Sequence, residues 1–279
     1  MSDEANSGAN PPRGAHLMLM TVAALFSLPL AWMILTSLKP AEDLIADPFR
    51  PLPTRWRTEN YRDAVTAMPY FRYLLNSLLL CAGSVVGTVF SSSLVAYGFA
   101  RLRFAGREKL FGLLISTMLL PWHVTMIPRF VLLSKLGLYD SLFALVGPTF
   151  LGDAFSIFLL RQFFLTIPDE FSEAARLDGC SEWDIYWRIV LPLAKPALAT
   201  VALFQCVATW NDFSGPLMYL SNPDRFPLAY GLEQFVSAYS SQTNLLMAAA
   251  TLFTLPAVLL FFLAQKTFLR GSNSSGLKG

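Results

Sequence analysis

The sequence predicts an all-α, polytopic membrane protein with six transmembrane helices. Three observations carry that prediction. Hydrophobic residues make up 54% of the chain and charged residues only 14%, far from the usage of soluble globular domains. The apolar residues gather into six runs of the length that crosses about 30 Å of hydrocarbon as a helix. The charges gather mostly between those runs.

Taken in order, Met1 to Gly14 is polar, carries Pro11-Pro12 and reads as a disordered N-terminus. Residues 15–38 form the first span, whose apolar core is too long for a cleavable signal peptide. Lys39 to Arg72 is a loop rich in Pro and Arg, with room for a short amphipathic helix near Tyr61 to Met68. Residues 74–100 form the second span. Its Gly83-Ser84-Val85-Val86-Gly87 is a small-xxx-small pattern that lets another helix approach closely. Arg101 to Lys109 is a short basic loop.

Residues 110–127 form the third span, interrupted by Pro121, and Arg129 to Asp140 reads as an interfacial segment ending near Gly137. Residues 141–160 form the fourth, where Gly147-Pro148 and Gly152-Asp153 predict a kink or break. A charged loop follows over 166–195, then the fifth span over 196–213. Ser214 to Asn244 is a polar loop with three prolines. Residues 245–265 form the sixth span with Pro256 inside it, and 271–279 is a short Gly/Ser-rich tail. Six spans put both termini and the 166–195 loop on one side. Lys and Arg divide nearly evenly between the two sides, so the orientation rule leans on the basic 101–109 loop.

The charged loop has readable local physics. Pro168, Asp169 and Glu170 suit a first helical turn, where a missing N–H costs nothing and negative charge is favoured. Gly179 suits the position just past the last turn. Ser181 followed by Asp184 resembles a capping box and starts a second short helix, which Pro192 is expected to stop.

Several chemistries find no support. Net charge is +2, so no nucleic-acid partner is implied. Cys81, Cys180 and Cys206 lack metal or CxxC spacing, and His16 and His123 are too few and too distant for a metal site. Gly271 and Gly276 precede Leu277-Lys278 but lack the Gly-Lys-Ser/Thr ending of a phosphate loop. Asn273-Ser274-Ser275 fits a glycosylation sequon, a pattern too short to weigh. No nucleophile triad or metalloprotease helix is present. The expectation is no catalytic residue, no metal and no cofactor.

Polar groups inside apolar runs are the remaining candidates. Asp153 lies within the fourth span, where a bare carboxylate costs a few kcal/mol unless it faces a cavity or a partner. Arg161, eight residues on, stands about 12 Å away along a straight helix, too far for direct pairing. Trp210-Asn211-Asp212 ends the fifth span, Trp122-His123 lies in the outer half of the third, and Tyr219 follows in the outer loop. Aromatic faces beside amide and carboxylate groups suit sugars. The competing reading of Asp153 is a structural group at a broken helix, and of the aromatics an interfacial belt.

The spacing Glu173-Ala174-Ala175, Gly179, Ile189, Leu191-Pro192 resembles the EAA loop of ABC importer permeases. Leu35-Thr36-Ser37-Leu38-Lys39-Pro40, Tyr73-Leu74-Leu75-Asn76-Ser77, Ala96-Tyr97-Gly98-Phe99-Ala100-Arg101, Phe158-Leu159-Leu160-Arg161-Gln162 and Trp210-Asn211-Asp212-Phe213 extend the likeness. They point to the carbohydrate branch, in particular the smaller permease of maltose-type systems. The resemblance covers nearly the whole chain from about Leu25.

That resemblance implies a type I ABC importer transmembrane domain over 15–270 in the prokaryotic cell membrane, with cytoplasmic termini. It implies a second homologous permease subunit, two ABC ATPase subunits that hydrolyse ATP, an extracytoplasmic solute-binding protein and a sugar or polyol substrate. Glu173, Ala174, Ala175, Arg176, Asp178, Gly179, Ile189, Leu191 and Pro192 would couple to the ATPase. Trp122, His123, Asp153, Trp210, Asn211, Asp212 and Tyr219 are candidates for the translocation path. The alternatives are an ion-gradient-driven secondary transporter, which would be expected to show an internal repeat and several buried acids, and a membrane scaffold with no path.

Overall fold

The structure, a computed structural model, describes residues 13–239 and 242–274. The expectations for Met1–Pro12 and for the tail end Ser275–Gly279 lie outside the described residues. The described chain contains helices and no strand. In order these are α1 (Arg13–Ser37), α2 (Ala41–Ala46), α3 (Glu59–Ala67), α4 (Tyr70–Arg101), α5 (Arg107–Ser116), α6 (Trp122–Lys135), α7 (Leu142–Val146), α8 (Ala154–Thr166) and α9 (Glu170–Leu177). They continue as α10 (Glu182–Leu193), α11 (Lys195–Trp210), α12 (Ser214–Tyr219), α13 (Leu228–Ala238) and α14 (Thr243–Ser274). Among the described residues, four helical stretches are long and apolar enough to cross a membrane, and two bent pairs bring the number to six if each pair is one span.

The bends follow from local sequence. The third apolar run is not one helix to Ile127 but two, α5 and α6, which meet at 99° around Pro121. Leu120 is extended, with ψ 114°, as a residue before proline prefers. The segment expected to be interfacial, Arg129–Asp140, begins inside α6. Between α7 and α8, Gly152 adopts φ +91°, and Asp153 caps α8 by accepting from the Ser156 N–H at 2.8 Å.

Pro192 does not stop its helix. Lacking an N–H for the Arg188 carbonyl, it follows a widened π turn over Tyr186–Val190, and the helix runs on to Leu193. The break comes at Ala194, with Pro196 in the first turn of α11 and a 78° bend. At the chain ends, Gly14 already belongs to α1, and α14 continues past Gln265 to Ser274.

Two compact units divide the chain, one running to Ala64 and taking in Ala238–Leu252, the other made of Val65–Ser237 and the chain from Phe253. Buried amides hold the first together. Asn60 donates to the carbonyls of Ser37 (2.8 Å) and Lys39 (2.9 Å) and accepts from Asn244 (3.2 Å). The buried Lys39 ammonium donates to the Arg50 carbonyl at 2.6 Å and lies 4.5 Å from the Trp32 ring centre, so its charge is met by a carbonyl dipole and a π face.

The core of the second unit joins α4, α8, α9, α10 and α11 through residues such as Ala96, Leu160, Phe164, Ala175, Ile185 and Val201. Close approach at the small-xxx-small pattern is real: a Cβ on Gly87 would collide with Thr149 Oγ1 and meet the Phe150 ring at 2.8 Å. Arg161 turns away from Asp153. It donates to the Phe99 carbonyl and to Glu108, each at 3.3 Å, and lies over the Phe111 ring.

Candidate functional site: a capped loop and a polar cavity

The loop of 166–195 is two helices joined by a tight reversal. Asp178 closes α9, and Gly179 follows with φ +81°. Gly179 N–H donates to the Arg176 carbonyl (3.1 Å) and Cys180 N–H to the Ala175 carbonyl (2.9 Å). This pair of bonds is the Schellman arrangement, which satisfies two carbonyls at the helix end. On the far side the capping box forms: Ser181 Oγ accepts from Asp184 N–H (3.2 Å), while Asp184 accepts from Ser181 N–H (3.2 Å). The Ser181 hydroxyl, which also donates to Asp184 Oδ2 at 2.5 Å, and then the Ser181 N–H hold the Asp184 carboxyl below the usual aspartate range.

The candidate coupling residues separate into two faces. Ala175 is buried in the core, and Ile189 and Leu191 pack against it. Glu173, Ala174, Asp178, Gly179 and Pro192 face outward. The small size of Ala175 therefore serves packing within this chain, whereas Ala174 lies on the free face. Two apolar side chains that sequence reasoning passed over share that exposure: Phe171 (51% exposed) and Leu177 (89% exposed). Their three-residue spacing about Ala174, on a stripe displaced from the buried Ser172 and Ala175, was the available signal.

The inner face is anchored to α4. Arg176 Nε donates to Glu182 Oε1 at 2.8 Å, and the Tyr97 hydroxyl donates to Glu182 Oε2 at 2.6 Å. The Arg176 bond, opposed by burial and aided by Tyr97, keeps the Glu182 carboxyl below the usual glutamate range. Arg101 pairs with Asp169 at the start of α9.

A second feature lies among α4, α6, α7, α11, α12 and the turn before α8, a cavity of about 540 Å³. Four path candidates line it: Trp122, His123, Asp153 and Asp212. The other three do not. Trp210 is buried and packs against Phe253 with ring centres 5.8 Å apart, and Asn211 caps α11 through Val207. Tyr219 is buried beside Leu133, Ala144 and Phe130.

Asp153 and Asp212 each serve a local turn. Asp153 accepts from the Ser156 N–H and hydroxyl (2.8 and 2.7 Å), and Asp212 from the Gly215 N–H (2.9 Å). Arg129, Gln205 and Thr209, not among the path residues predicted from sequence, also line the cavity. Gln205 could have been found as a lone amide within an apolar run, bonded here to Thr209 at 2.9 Å. Among the described residues no cluster of His, Cys, Asp or Glu is arranged to hold a metal.

Comparisons with known proteins agree on one family. Residues 66–272 match the model of the binding-protein-dependent transport system inner membrane component. The chain is 33% identical over 266 residues to the arabinooligosaccharides transport system permease protein AraQ of Bacillus subtilis, covering 94% of each. It is 29% identical to the diacetylchitobiose uptake system permease protein NgcG of Streptomyces coelicolor, covering 94% of this chain and 87% of that one. Among solved structures, a chain of a bacterial ABC transporter involved in the import of the acidic polysaccharide alginate superposes with a TM-score of 0.77 at 26% identity. That match covers 96% of this chain and all of the other. With the helices bent and capped as described and three-quarters of its length within the family model, the chain is a member of the binding-protein-dependent transport system inner membrane component family.

Proposed function

We propose that this chain is one permease subunit of an ATP-driven ABC importer for a sugar or related polyol. It pairs with a second homologous permease in the cell membrane, with its termini and the 166–195 loop in the cytosol. Two separate ATPase subunits hydrolyse ATP, and an extracytoplasmic solute-binding protein delivers the substrate. The relatives' sugar-uptake systems and the alginate importer support the substrate class.

The observation that carries the coupling role is the two-faced α9. Its inner face is locked to the chain's own core, and its outer face offers Phe171, Ala174 and Leu177 to solvent beside Glu173 and Asp178. A monomer gains nothing by exposing such a patch, and a docking groove on another subunit would cover it. The cavity supports the translocation role. Its carboxylates, guanidinium, amide, hydroxyls and the Trp122 ring suit a solute with many hydroxyls and apolar C–H faces.

Uptake of labelled oligosaccharides into proteoliposomes holding the whole complex tests the reading. Accumulation should require ATP on the cytosolic side and the solute-binding protein. Accumulation driven by a proton or sodium gradient without ATP would instead support a secondary transporter, and no accumulation under either condition a scaffold.

A further inference from the structure

Ser93, Tyr97 and Arg101 recur every fourth residue and so form one stripe on α4. Each holds a different point of the 166–195 loop. The Arg101 side chain, only 3% exposed, donates to the carbonyls of Phe164 (2.7 Å) and Ile167 (2.5 Å) and pairs with Asp169. It thus ties the end of α8 and the start of α9 to α4 with one planar fork. Tyr97 holds Glu182, which in turn holds Arg176 across the Gly179 reversal. Ser93 shares a 2.8 Å hydrogen bond with the buried Tyr186 hydroxyl.

The same helix reaches the cavity. Leu80, Ser84 and Thr88, again at four-residue spacing, line it, and Ser92 accepts from the Asp153 N–H at 3.2 Å. From Leu80 to Arg101 α4 is one unbroken helix without proline, about 30 Å long at 1.5 Å per residue. A single rigid element therefore has one end in the cavity and the other fastened to the loop at three points.

We infer that Ser93, Tyr97 and Arg101 are positioning residues that make α4 and the coupling loop one moving body, so that displacement of the docked α9 is delivered to the cavity wall. This rests on the coupling reading of the loop above. Docking alone would let the ATPase bind. The three-point attachment is what would turn loop movement into movement of Ser84 and Thr88. Breaking it should leave ATPase binding in place and lower the uptake obtained per ATP hydrolysed.

The test uses the full complex in nanodiscs and proteoliposomes, with Tyr97→Phe, Arg101→Gln and Arg101→Lys. Tyr97→Phe removes one oxygen and spares the packing, so it stays informative if an arginine variant fails to assemble. For Arg101→Gln, uptake per ATP should fall about tenfold, equivalent to about 1.4 kcal/mol. Tyr97→Phe should fall less, and Arg101→Lys should lie between Arg101→Gln and wild type, since it keeps charge toward Asp169 but not the fork.

Nitroxides at Phe90 and Asp178 supply a readout that a merely stabilising contact would not move. Their separation should stay the same with and without ATP in the wild type and broaden in Tyr97→Phe. A wild-type separation that changes by several ångströms on ATP binding would overturn the inference, as would wild-type uptake per ATP in Tyr97→Phe and Arg101→Gln. A photo-crosslinker at Leu177 separates the two levels. Capture of the ATPase with a nucleotide-dependent Phe90–Asp178 distance refutes only the rod, whereas no capture refutes the coupling reading beneath it.

Discussion

Replacing Gly179 tests the loop at its geometric pivot. Its φ of +81° lies in the left-handed region, and a Cβ built there meets nothing within 4 Å. Any penalty is therefore backbone strain rather than collision. An L-residue pays about 1–2 kcal/mol in that region, and a β-branched one sits there as an outlier. We expect Gly179→Ala to cost about 1 kcal/mol and Gly179→Val about 2 kcal/mol or more, while Gly179→Asn, which enters this region readily, stays close to wild type. A cost of about 2 kcal/mol raises the ratio of misformed to native loop about thirtyfold.

The assay is substrate-stimulated ATP hydrolysis together with uptake in proteoliposomes carrying the whole complex. Both should fall in the order Asn, Ala, Val while the permease still reaches the membrane. Gly98→Ala is the control, since its Cβ also meets open space and its backbone is helical. Wild-type hydrolysis and uptake in Gly179→Val, or a fall in Gly179→Asn as deep as in Gly179→Val, would show that the left-handed turn at 179 is not what coupling depends on.

Three further outcomes are expected. Ala175→Trp should lower yield and thermal stability of the detergent-solubilised protein by overpacking, about 1–3 kcal/mol, whereas Ala174→Trp should leave both intact and weaken ATPase pull-down; Glu173→Ala should cost about 0–1 kcal/mol of docking at most. Asp212→Asn should reduce uptake at normal expression, because Asp212 lines the cavity, while Trp210→Ala should act through folding, losing about 3–5 kcal/mol from a buried ring; equal expression of the two with equal loss of uptake would contradict this division. Hydrogen bonds from the Asn222 and Ser221 N–H groups, with Arg225, hold the Asp140 carboxyl below the usual aspartate range. The stability it lends the 137–141 and 220–226 loops is complete above the ordinary aspartate pKa and lost as pH falls through the lower folded value, so hydrogen exchange there should accelerate in acid and Asp140→Asn should abolish that acceleration.

Much of this molecule was legible in its sequence because local rules act strongly at a few residues. Gly179 and the Ser181–Asp184 pair announced the loop's reversal through backbone geometry and capping, and both take the expected form. Gly152-Asp153 announced the break before α8 in the same way. The helix limits were harder. Pro121 was seen as an interruption, but only the chain's path shows that it turns the helix by 99°. Pro192 was expected to end a helix, and a π turn absorbs it instead.

Facing was the least legible property. Ala174 and Ala175 are identical side chains one residue apart, and the helical period sends one outward and the other into the core. Trp210 and Asp212 are two residues apart, and one packs on Phe253 while the other lines the cavity. Arg101 read as one charge in a basic loop. Its role in holding three separate points appears only when α8 and α9 are folded against α4.

On the proposed coupling, the outer face of α9 is where a separate ATPase takes hold of the membrane subunit. A photo-crosslinking amino acid at Leu177, 89% exposed, measures this directly in the assembled complex, with a second at the buried Ile185 as reference. Leu177 should then capture the ATPase subunit, and Ile185 only this chain. Capture of lipid or of the extracytoplasmic binding protein at Leu177, with no ATPase adduct, would contradict it.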